Sequence, residues 1–274
     1  MHGSSWSLTQ RFDFCGQSVA YDILGEGPSL VLVHGTPFSS YVWRTIVREL
    51  SRSYTVYLYD LLGYGQSEKR DGQDVSLGVQ NDVFAALIDH WHLQNPYVLA
   101  HDFGGATVLR AHLINGCDYR KLLLFDVVAV RPWGSPFVQH VRDHEAAFAG
   151  LPDYIQRAVL RAYIRGAISR PISDQELEPY IEQWAGDVGQ PAFYRQIAQM
   201  ELRYTDEVES RYGEIRCPVS LLWGTKDEWI PIDRGRHLAN LITDCEFREI
   251  TGAGHLMQED APEAIVAAAL NFFV

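Results

Sequence analysis

The chain has 274 residues, of which 47% are hydrophobic, a composition typical of a globular protein with a sizeable core. Its formal net charge of −12 at pH 7 argues against non-specific binding to nucleic acid or to an anionic membrane, because both require clustered Lys and Arg. Four cysteines with neither CxxC pairing nor metal-ligand spacing predict no metal site, and we expect no cofactor; they are Cys15, Cys117, Cys217 and Cys245.

The N-terminal part of the chain predicts no targeting segment. Its first ten residues, MHGSSWSLTQ, lack a basic region followed by an apolar run, so we expect no signal peptide. No apolar run reaches the roughly 18 residues of a membrane span, and we therefore expect a cytoplasmic protein. The next segment, FDFCGQSVAYDILGEG (12–27), has glycines at its turns and predicts a β-hairpin.

From residue 29 to residue 128, short apolar runs alternate with amphipathic stretches. Continuous apolar runs are typical of strands that are covered on both faces. Their alternation with helical stretches indicates βαβ units and a parallel sheet. The predicted strands are SLVLVHG (29–35), YTVYLYD (54–60), PYVLAHD (96–102) and KLLLFDVV (121–128), and the predicted helices span 41–51, 76–93 and 105–115.

Strand signals are missing between residues 130 and 212, where four helical segments are separated by Gly and Pro: 137–151, 153–167, 174–186 and 191–204. The strand and helix pattern then returns, with strands at 217–224 and 245–254 and helices at 233–242 and 261–274. We therefore predict the α/β fold class, with a mostly parallel central sheet flanked by helices and a helical cap inserted after the sixth strand. The predicted domains are a core of residues 1–129 with 213–274, and a cap of residues 130–212.

Asp102 stands at the end of an apolar strand and is followed at once by Gly104 and Gly105. Ligands bind at the carboxyl ends of parallel strands, and small residues allow a strand and the next helix to approach closely. The pattern A-x-D-x-G is typical of a nucleophile elbow, with Asp at the position where Ser is commoner. The alternative is that Asp102 only caps the following helix.

Two later loops supply candidate partners for Asp102. Asp227 lies in LLWGTKDEWIP, just after a predicted strand, and His255 lies in TGAGHLMQEDAP, after the last one. The chain order of nucleophile, acid and histidine is the one expected for a catalytic triad on this type of sheet. We predict these three residues as the catalytic group.

Five segments together resemble the α/β-hydrolase superfamily: VHGTPFSSYVWR, YDLLGYGQSEK, HDFGG, WGTKDEWIP and GAGHLMQEDAPE. They cover nearly the whole chain, and the resemblance implies the α/β-hydrolase fold. An Asp at the elbow resembles the branch of epoxide hydrolases and haloalkane dehalogenases more than the esterases. Some dehalogenases take the triad acid from the strand before the cap, which would be Asp126 here; we prefer Asp227 because its loop context is the commoner one.

A nucleophilic carboxylate fits a substrate with a leaving group on saturated carbon. Its ordinary pKa of about 3.9 leaves it ionised at neutral pH, and its attack produces an alkyl ester that water can hydrolyse. Asp102 would be the nucleophile and His255 the base that activates water. The backbone N–H groups of Thr36 and Phe103 would form the oxyanion hole during ester hydrolysis.

The resemblance also bears on the leaving group. Haloalkane dehalogenases hold halide with Asn and Trp side chains at the positions of Thr36 and Phe103, and Phe has no N–H donor. Epoxide hydrolases hydrogen-bond the ring oxygen from the cap, mostly with tyrosines, and PAFYRQI resembles such a segment. We therefore predict that Tyr194 donates a hydrogen bond to the epoxide oxygen. For the second donor we predict His144, with Tyr154 as the next candidate.

The leading hypothesis is an epoxide hydrolase that acts on a small, apolar molecule through an aspartyl alkyl ester. The alternative is a dehalogenase or another Asp-elbow hydrolase with altered halide contacts. A binding protein on a hydrolase scaffold is disfavoured, since a binder does not need a complete triad. The sequence predicts no nucleic-acid or membrane partner and leaves a homodimer open.

Overall fold

The computed structural model describes residues 6–274 and has at its centre an eight-stranded sheet. The strands are β1 (Gln10–Phe14), β2 (Gln17–Leu24), β3 (Ser29–Val33), β4 (Thr55–Tyr59), β5 (Tyr97–His101), β6 (Lys121–Phe125), β7 (Val219–Gly224) and β8 (Glu246–Ile250). Their order in the sheet is β1-β2-β4-β3-β5-β6-β7-β8. β2 pairs antiparallel with β1 and β4, and every other pair is parallel. The predicted hairpin and the mostly parallel sheet are confirmed.

Helices cover both faces of the sheet and fill the interval between β6 and β7. Those of the first and last parts of the chain are α1 (Ile46–Leu50), α2 (Leu77–His90), α3 (Phe103–Leu113), α10 (Ile232–Leu241), α11 (Met257–Asp260) and α12 (Pro262–Phe272). Those between β6 and β7 are α4 (Pro136–Asp143), α5 (Glu145–Ala149), α6 (Asp153–Arg165), α7 (Asp174–Glu182), α8 (Gly186–Ala198) and α9 (Arg203–Glu209). The insertion of helices after the sixth strand is confirmed. Among residues 6–274, no helix is both long enough and apolar enough to cross a membrane.

Several predicted helices differ in their bounds from the observed ones. The stretch 41–51 forms a short 3₁₀ turn followed by α1, and the stretch 137–151 divides into α4 and α5 at His144. α8 starts at Gly186, so that Pro191 lies inside it. Proline removes one backbone hydrogen bond from a helix interior, but the buried side chains on both sides of Pro191 keep the chain helical here.

The sheet brings the ends of five strands to one edge of the core. β5 is buried along its whole length, as its continuous apolar sequence predicts. Because parallel strands end at the same edge, the residues that follow them meet there. These residues are Thr36 after β3, Asp102 after β5, Asp126 after β6, Asp227 after β7 and His255 after β8.

Candidate active site

The turn between β5 and α3 holds Asp102 in a backbone conformation that few residues adopt, with φ 50° and ψ −118°. Neighbouring glycines make the turn possible. A Cβ on Gly104 would lie 2.5 Å from the carbonyl oxygens of Val33 and His34, and one on Gly105 would lie 2.2 Å from a methyl of Val127. Strained backbone of this kind is often found at functional sites. The geometry is that of the predicted elbow.

The carboxylate of Asp102 is turned toward the oxyanion loop. Its Oδ1 accepts a hydrogen bond of 2.7 Å from the backbone N–H of Thr36, and across the described chain the side chain makes no capping bond to α3. The capping interpretation therefore gives way to the elbow. Phe103 begins α3, where the first-turn N–H groups have no partner within the helix. Both N–H groups predicted for the oxyanion hole thus flank Asp102.

His255 lies between two carboxylates and is fully buried. Its Nδ1 is 2.9 Å from Oδ2 of Asp227, and its Nε2 is 3.5 Å from Oδ2 of Asp102. Oδ1 of Asp227 accepts bonds of 2.8 and 2.9 Å from the backbone N–H groups of Trp229 and Ile230. The structure therefore brings the three predicted catalytic residues together in triad order.

Asp126, the alternative acid, is buried behind this group. Its Oδ1 accepts a 2.8 Å bond from the N–H of Gly224, and its Oδ2 has no hydrogen-bond partner in residues 6–274. Burial, and then the nearby charge of Asp227, raises the pKa of Asp126 well above its ordinary value. The raised pKa favours the neutral form of the Asp126 carboxyl, and Asp227 is the carboxylate that contacts the imidazole.

The charges around His255 control its protonation. Burial acts to lower the pKa of this imidazole, but Asp227 and then Asp102 outweigh it and raise the pKa well above the ordinary value. The raised pKa favours the protonated imidazole in the free protein. Any step that removes the charge of Asp102 also removes one of the causes of this raised pKa.

A small cavity lies above Asp102. Its walls are largely apolar, and none of the described residues that line it is basic. Such a site excludes water and favours a small, uncharged ligand. The lining residues are Thr36, Asp102, Phe103, Val128, Trp133, Gly134, Ser135, Val138, Tyr163, Met200, Trp229 and Ile230.

Tyr163 is the cap tyrosine that reaches this cavity, and the sequence did not predict it. Its ring stacks on that of Trp229, with centroids 4.4 Å apart and planes at 14°. Burial raises the pKa of Tyr163, and the charge of Asp102 raises it further, so the hydroxyl keeps its proton near the carboxylate. The helical periodicity of α6 could have indicated that Tyr163 faces inward, because this residue lies seven positions after the buried Gln156.

The three cap donors predicted from the sequence lie elsewhere. Tyr194 is buried against Phe148 and Phe193, its hydroxyl donates to Oε1 of Gln156, and it is not among the residues that line the cavity. His144 is exposed at the junction of α4 and α5, and Tyr154 is 73% exposed on the outer side of α6. The structure does not bring any of them to Asp102.

The sequence and the fold are similar to those of known proteins. A model of the alpha/beta hydrolase family matches residues 30–269. The chain belongs to the alpha/beta hydrolase family. A solved alpha/beta hydrolase fold protein from Burkholderia ambifaria is 54% identical, with a TM-score of 0.95, over 98% of this chain and 100% of that one.

Other members of the alpha/beta hydrolase family are more distant. A protein of Mycobacterium bovis named haloalkane dehalogenase 2 is 26% identical, over 96% of this chain and 93% of its own length. A cis-3-alkyl-4-alkyloxetan-2-one decarboxylase of Xanthomonas campestris is 25% identical, over 93% of this chain and 92% of its own length. The chain is therefore an enzyme of the alpha/beta hydrolase family, and it is similar to a protein named as a dehalogenase and to one named as a decarboxylase.

Proposed function

We propose that this hydrolase opens a small, uncharged, apolar epoxide to a diol through an ester of Asp102. One observation carries the proposal: the carboxylate forms the floor of an apolar cavity, with the hydroxyl-bearing ring of Tyr163 in its wall. A carboxylate needs no base before it attacks. An epoxide, in turn, needs a hydrogen-bond donor for its oxygen.

In the first step, Oδ2 of Asp102 attacks a ring carbon, and the bond between that carbon and the ring oxygen breaks. The negative charge moves from the carboxylate to the ring oxygen, which takes a hydrogen bond and then the proton of Tyr163. A donor directed at a developing alkoxide stabilises the transition state more than the bound substrate. The products of this step are the alkyl ester of Asp102 and a tyrosinate.

In the second step, water attacks the carboxyl carbon of the ester. His255 accepts a proton from this water, and the N–H groups of Thr36 and Phe103 hold the oxyanion. Asp227 keeps Nδ1 of His255 in place. Collapse of the intermediate breaks the bond between the carboxyl carbon and the ester oxygen, the proton of the resulting Asp102 carboxyl passes to the leaving alkoxide to give the diol, and the proton held by His255 returns to the tyrosinate of Tyr163.

Trapping the ester tests the proposal. His255→Gln should form the ester but hydrolyse it slowly, so mixing this variant with 1,2-epoxybutane or styrene oxide should add the mass of the epoxide to the intact protein. Peptide mapping should find the adduct on Asp102, and Asp102→Ala with His255→Gln should form none. Adducts at another residue, or diol formation by Asp102→Ala, would contradict the proposal.

Matched Phe variants of Tyr163 and Tyr194 test which of the two tyrosines donates to the epoxide oxygen. Tyr163→Phe should slow ester formation by a factor on the order of 10²–10³, as expected for the loss of one transition-state donor. Tyr194→Phe removes a buried hydroxyl of the same cap that donates to Gln156, and it should leave the rate near that of the parent. The opposite order of effects would return the donor role to Tyr194.

The second candidate is a dehalogenase, which is favoured by the similarity to the Mycobacterium bovis protein of that name. Against it, the indole N–H of Trp133, a residue of the cavity wall, donates to Thr205, and the side chain of Phe103 has no N–H donor for a halide. Bromide release from 1-bromobutane measures this activity directly, and fast release would favour the dehalogenase.

Further features of the proposal follow from the sequence. The core and cap are proposed as the domains 1–129 with 213–274 and 130–212, and the location as cytoplasmic. A homodimer and a non-catalytic binding role remain the alternatives to a monomeric enzyme. Gel filtration at several protein concentrations tests for a homodimer. Formation of diol from an epoxide would contradict the non-catalytic binding role.

A further inference from the structure

The hydroxyl of Thr36 belongs to a small buried hydrogen-bond network that joins the oxyanion loop to the cap. Its Oγ1 donates to Oε1 of Gln196 over 2.7 Å, and the hydroxyl of Tyr64 donates to the same oxygen over 3.0 Å. The two hydroxyl oxygens are 3.4 Å apart. Gln196 lies in α8 and Tyr64 in the loop after β4. One amide oxygen therefore accepts from two hydroxyl donors.

Thr36 differs from the other two members of the network because it lines the cavity. Its backbone N–H holds Oδ1 of Asp102 over 2.7 Å, so its side chain lies beside the reacting carboxylate. A threonine hydroxyl can rotate about its C–O bond and direct its single proton to a different acceptor. The ring oxygen of a bound substrate would be such an acceptor.

The second donor in the network makes this rotation favourable. A buried amide oxygen left without any donor is strongly destabilised. When Thr36 turns away, Oε1 of Gln196 keeps the hydrogen bond from Tyr64 and stays satisfied. The duplicate donor therefore leaves the Thr36 proton available for the substrate.

We propose that the hydroxyl of Thr36 is the second hydrogen-bond donor to the epoxide oxygen, so that one donor comes from the cap and the other from the core. This inference rests on the proposed epoxide ring opening and assigns a further residue to it. While Asp102 forms its bond to carbon and the ring C–O bond breaks, the oxygen that gains the negative charge accepts hydrogen bonds from Tyr163 and Thr36. The proton is transferred from Tyr163, and Thr36 keeps its own.

The experiment measures ester formation in the His255→Gln background by intact-protein mass spectrometry after rapid mixing with 1,2-epoxybutane. Thr36→Val keeps the shape and the backbone N–H but removes the hydroxyl, and it should slow ester formation by a factor on the order of 10². Thr36→Ser restores the hydroxyl and should recover the parent rate to within a few-fold. With His255 present, hydrolysis of the ester should be unchanged in Thr36→Val, because that step uses only the N–H.

Variants of two tyrosines test whether the hydrogen-bond network, and not only the size of the Thr36 side chain, controls the rate of ester formation. Tyr64→Phe removes the duplicate donor, so rotation of Thr36 would leave Gln196 unsatisfied, and ester formation should slow by about tenfold. Tyr194→Phe removes an equivalent hydroxyl that donates to Gln156 rather than to this network, and the rate should not change.

Three results distinguish the outcomes. If Thr36→Val forms the ester at the parent rate while Tyr163→Phe is slow, Thr36 is not a donor and the proposed function stands. If Thr36→Ser is as slow as Thr36→Val, shape and not the hydroxyl controls the rate, and the inference fails. If no epoxide labels the parent His255→Gln protein, the proposed function and this inference fail together.

Discussion

The indole of Trp229 stacks on the imidazole of His255, with ring centroids 4.9 Å apart and planes at 30°. The same indole also stacks on the ring of Tyr163. The backbone N–H of Trp229 also donates to Asp227. One residue thus contacts the candidate base, its carboxylate partner and the candidate donor to the leaving oxygen.

Replacing Trp229 should therefore affect both chemical steps. Trp229→Phe keeps a flat ring and the backbone N–H, and we expect a loss of less than about tenfold in either step. Trp229→Ala removes the support of both rings and should slow each step by a factor of at least about 10², since small displacements of catalytic groups have effects of this size. Rapid-quench kinetics separates the two steps. A defect of Trp229→Ala in only one of them would contradict the double contact.

The two buried carboxyl groups behind His255 should respond differently to conversion into amides. Asp227→Asn removes the charge that orients the imidazole, and ester hydrolysis should fall by a factor on the order of 10²–10⁴. Asp126→Asn keeps an acceptor for the N–H of Gly224, and Asp126 is not the carboxylate that contacts Nδ1 of His255, so turnover should stay within about threefold. The same rapid-quench assay tests both variants, and the reverse pattern would make Asp126 the triad acid.

The pH dependence of ester hydrolysis should reveal the control that Asp102 exerts on His255. In the free enzyme, Asp227 and Asp102 raise the pKa of His255 against the effect of burial. Esterification removes the charge of Asp102, so the pKa of His255 falls in the intermediate, and the base becomes neutral when it is needed. Ester hydrolysis should therefore rise with pH at a midpoint below the pKa of His255 measured by NMR in the free enzyme. Equal values would rule out this control.

The same raised pKa has a consequence for stability, with a definite sign. A histidine whose pKa is higher in the folded than in the unfolded state stabilises the protein fully below its unfolded pKa of about 6.5. This contribution is lost as the pH rises through the folded pKa. Urea unfolding of the parent and of His255→Gln across this range should show a difference that shrinks with increasing pH.

The elbow glycines should be important for folding as well as for chemistry. A Cβ at residue 104 would lie 2.5 Å from two backbone oxygens of the oxyanion strand and loop, so Gly104→Ala should lower the free energy of unfolding by about 1–3 kcal/mol. Gly150, between α5 and α6, has its nearest such neighbour at 3.5 Å, and Gly150→Ala should change it by less than about 0.5 kcal/mol. Urea unfolding measures both, and equal effects would contradict the steric argument.

Residues in local motifs could be predicted from the sequence, and residues of the cap could not. Asp102 and Asp227 each follow a strand whose apolar run is visible, His255 follows the last predicted strand, and the sheet then brings the three together. Their positions depend on strand order and on glycines next to them in sequence. Loop context favoured Asp227 over Asp126, and the contact with His255 supports that choice, because both acids follow adjacent strands.

No comparable sequence motif indicates which side chains of the cap face the cavity. Tyr163 and Tyr194 lie on different helices, α6 and α8, and both are largely buried. Which of the two faces the cavity depends on how these helices pack over the core, and that packing involves side chains far apart in the sequence. The motif around Tyr194 predicted a donor to the substrate, but Tyr194 is buried and its hydroxyl is directed to Gln156.

The residues that line the cavity come from two parts of the chain. Thr36, Asp102 and Trp229 are carried by core loops, whereas Trp133, Val138 and other wall residues belong to the segment between β6 and β7. Changes in that segment can alter the shape and reach of the wall without moving the carboxylate or the imidazole. The preferred substrate can therefore diverge between relatives while the ester chemistry is inherited unchanged, and a cap exchanged with a homologue should transfer selectivity as a unit.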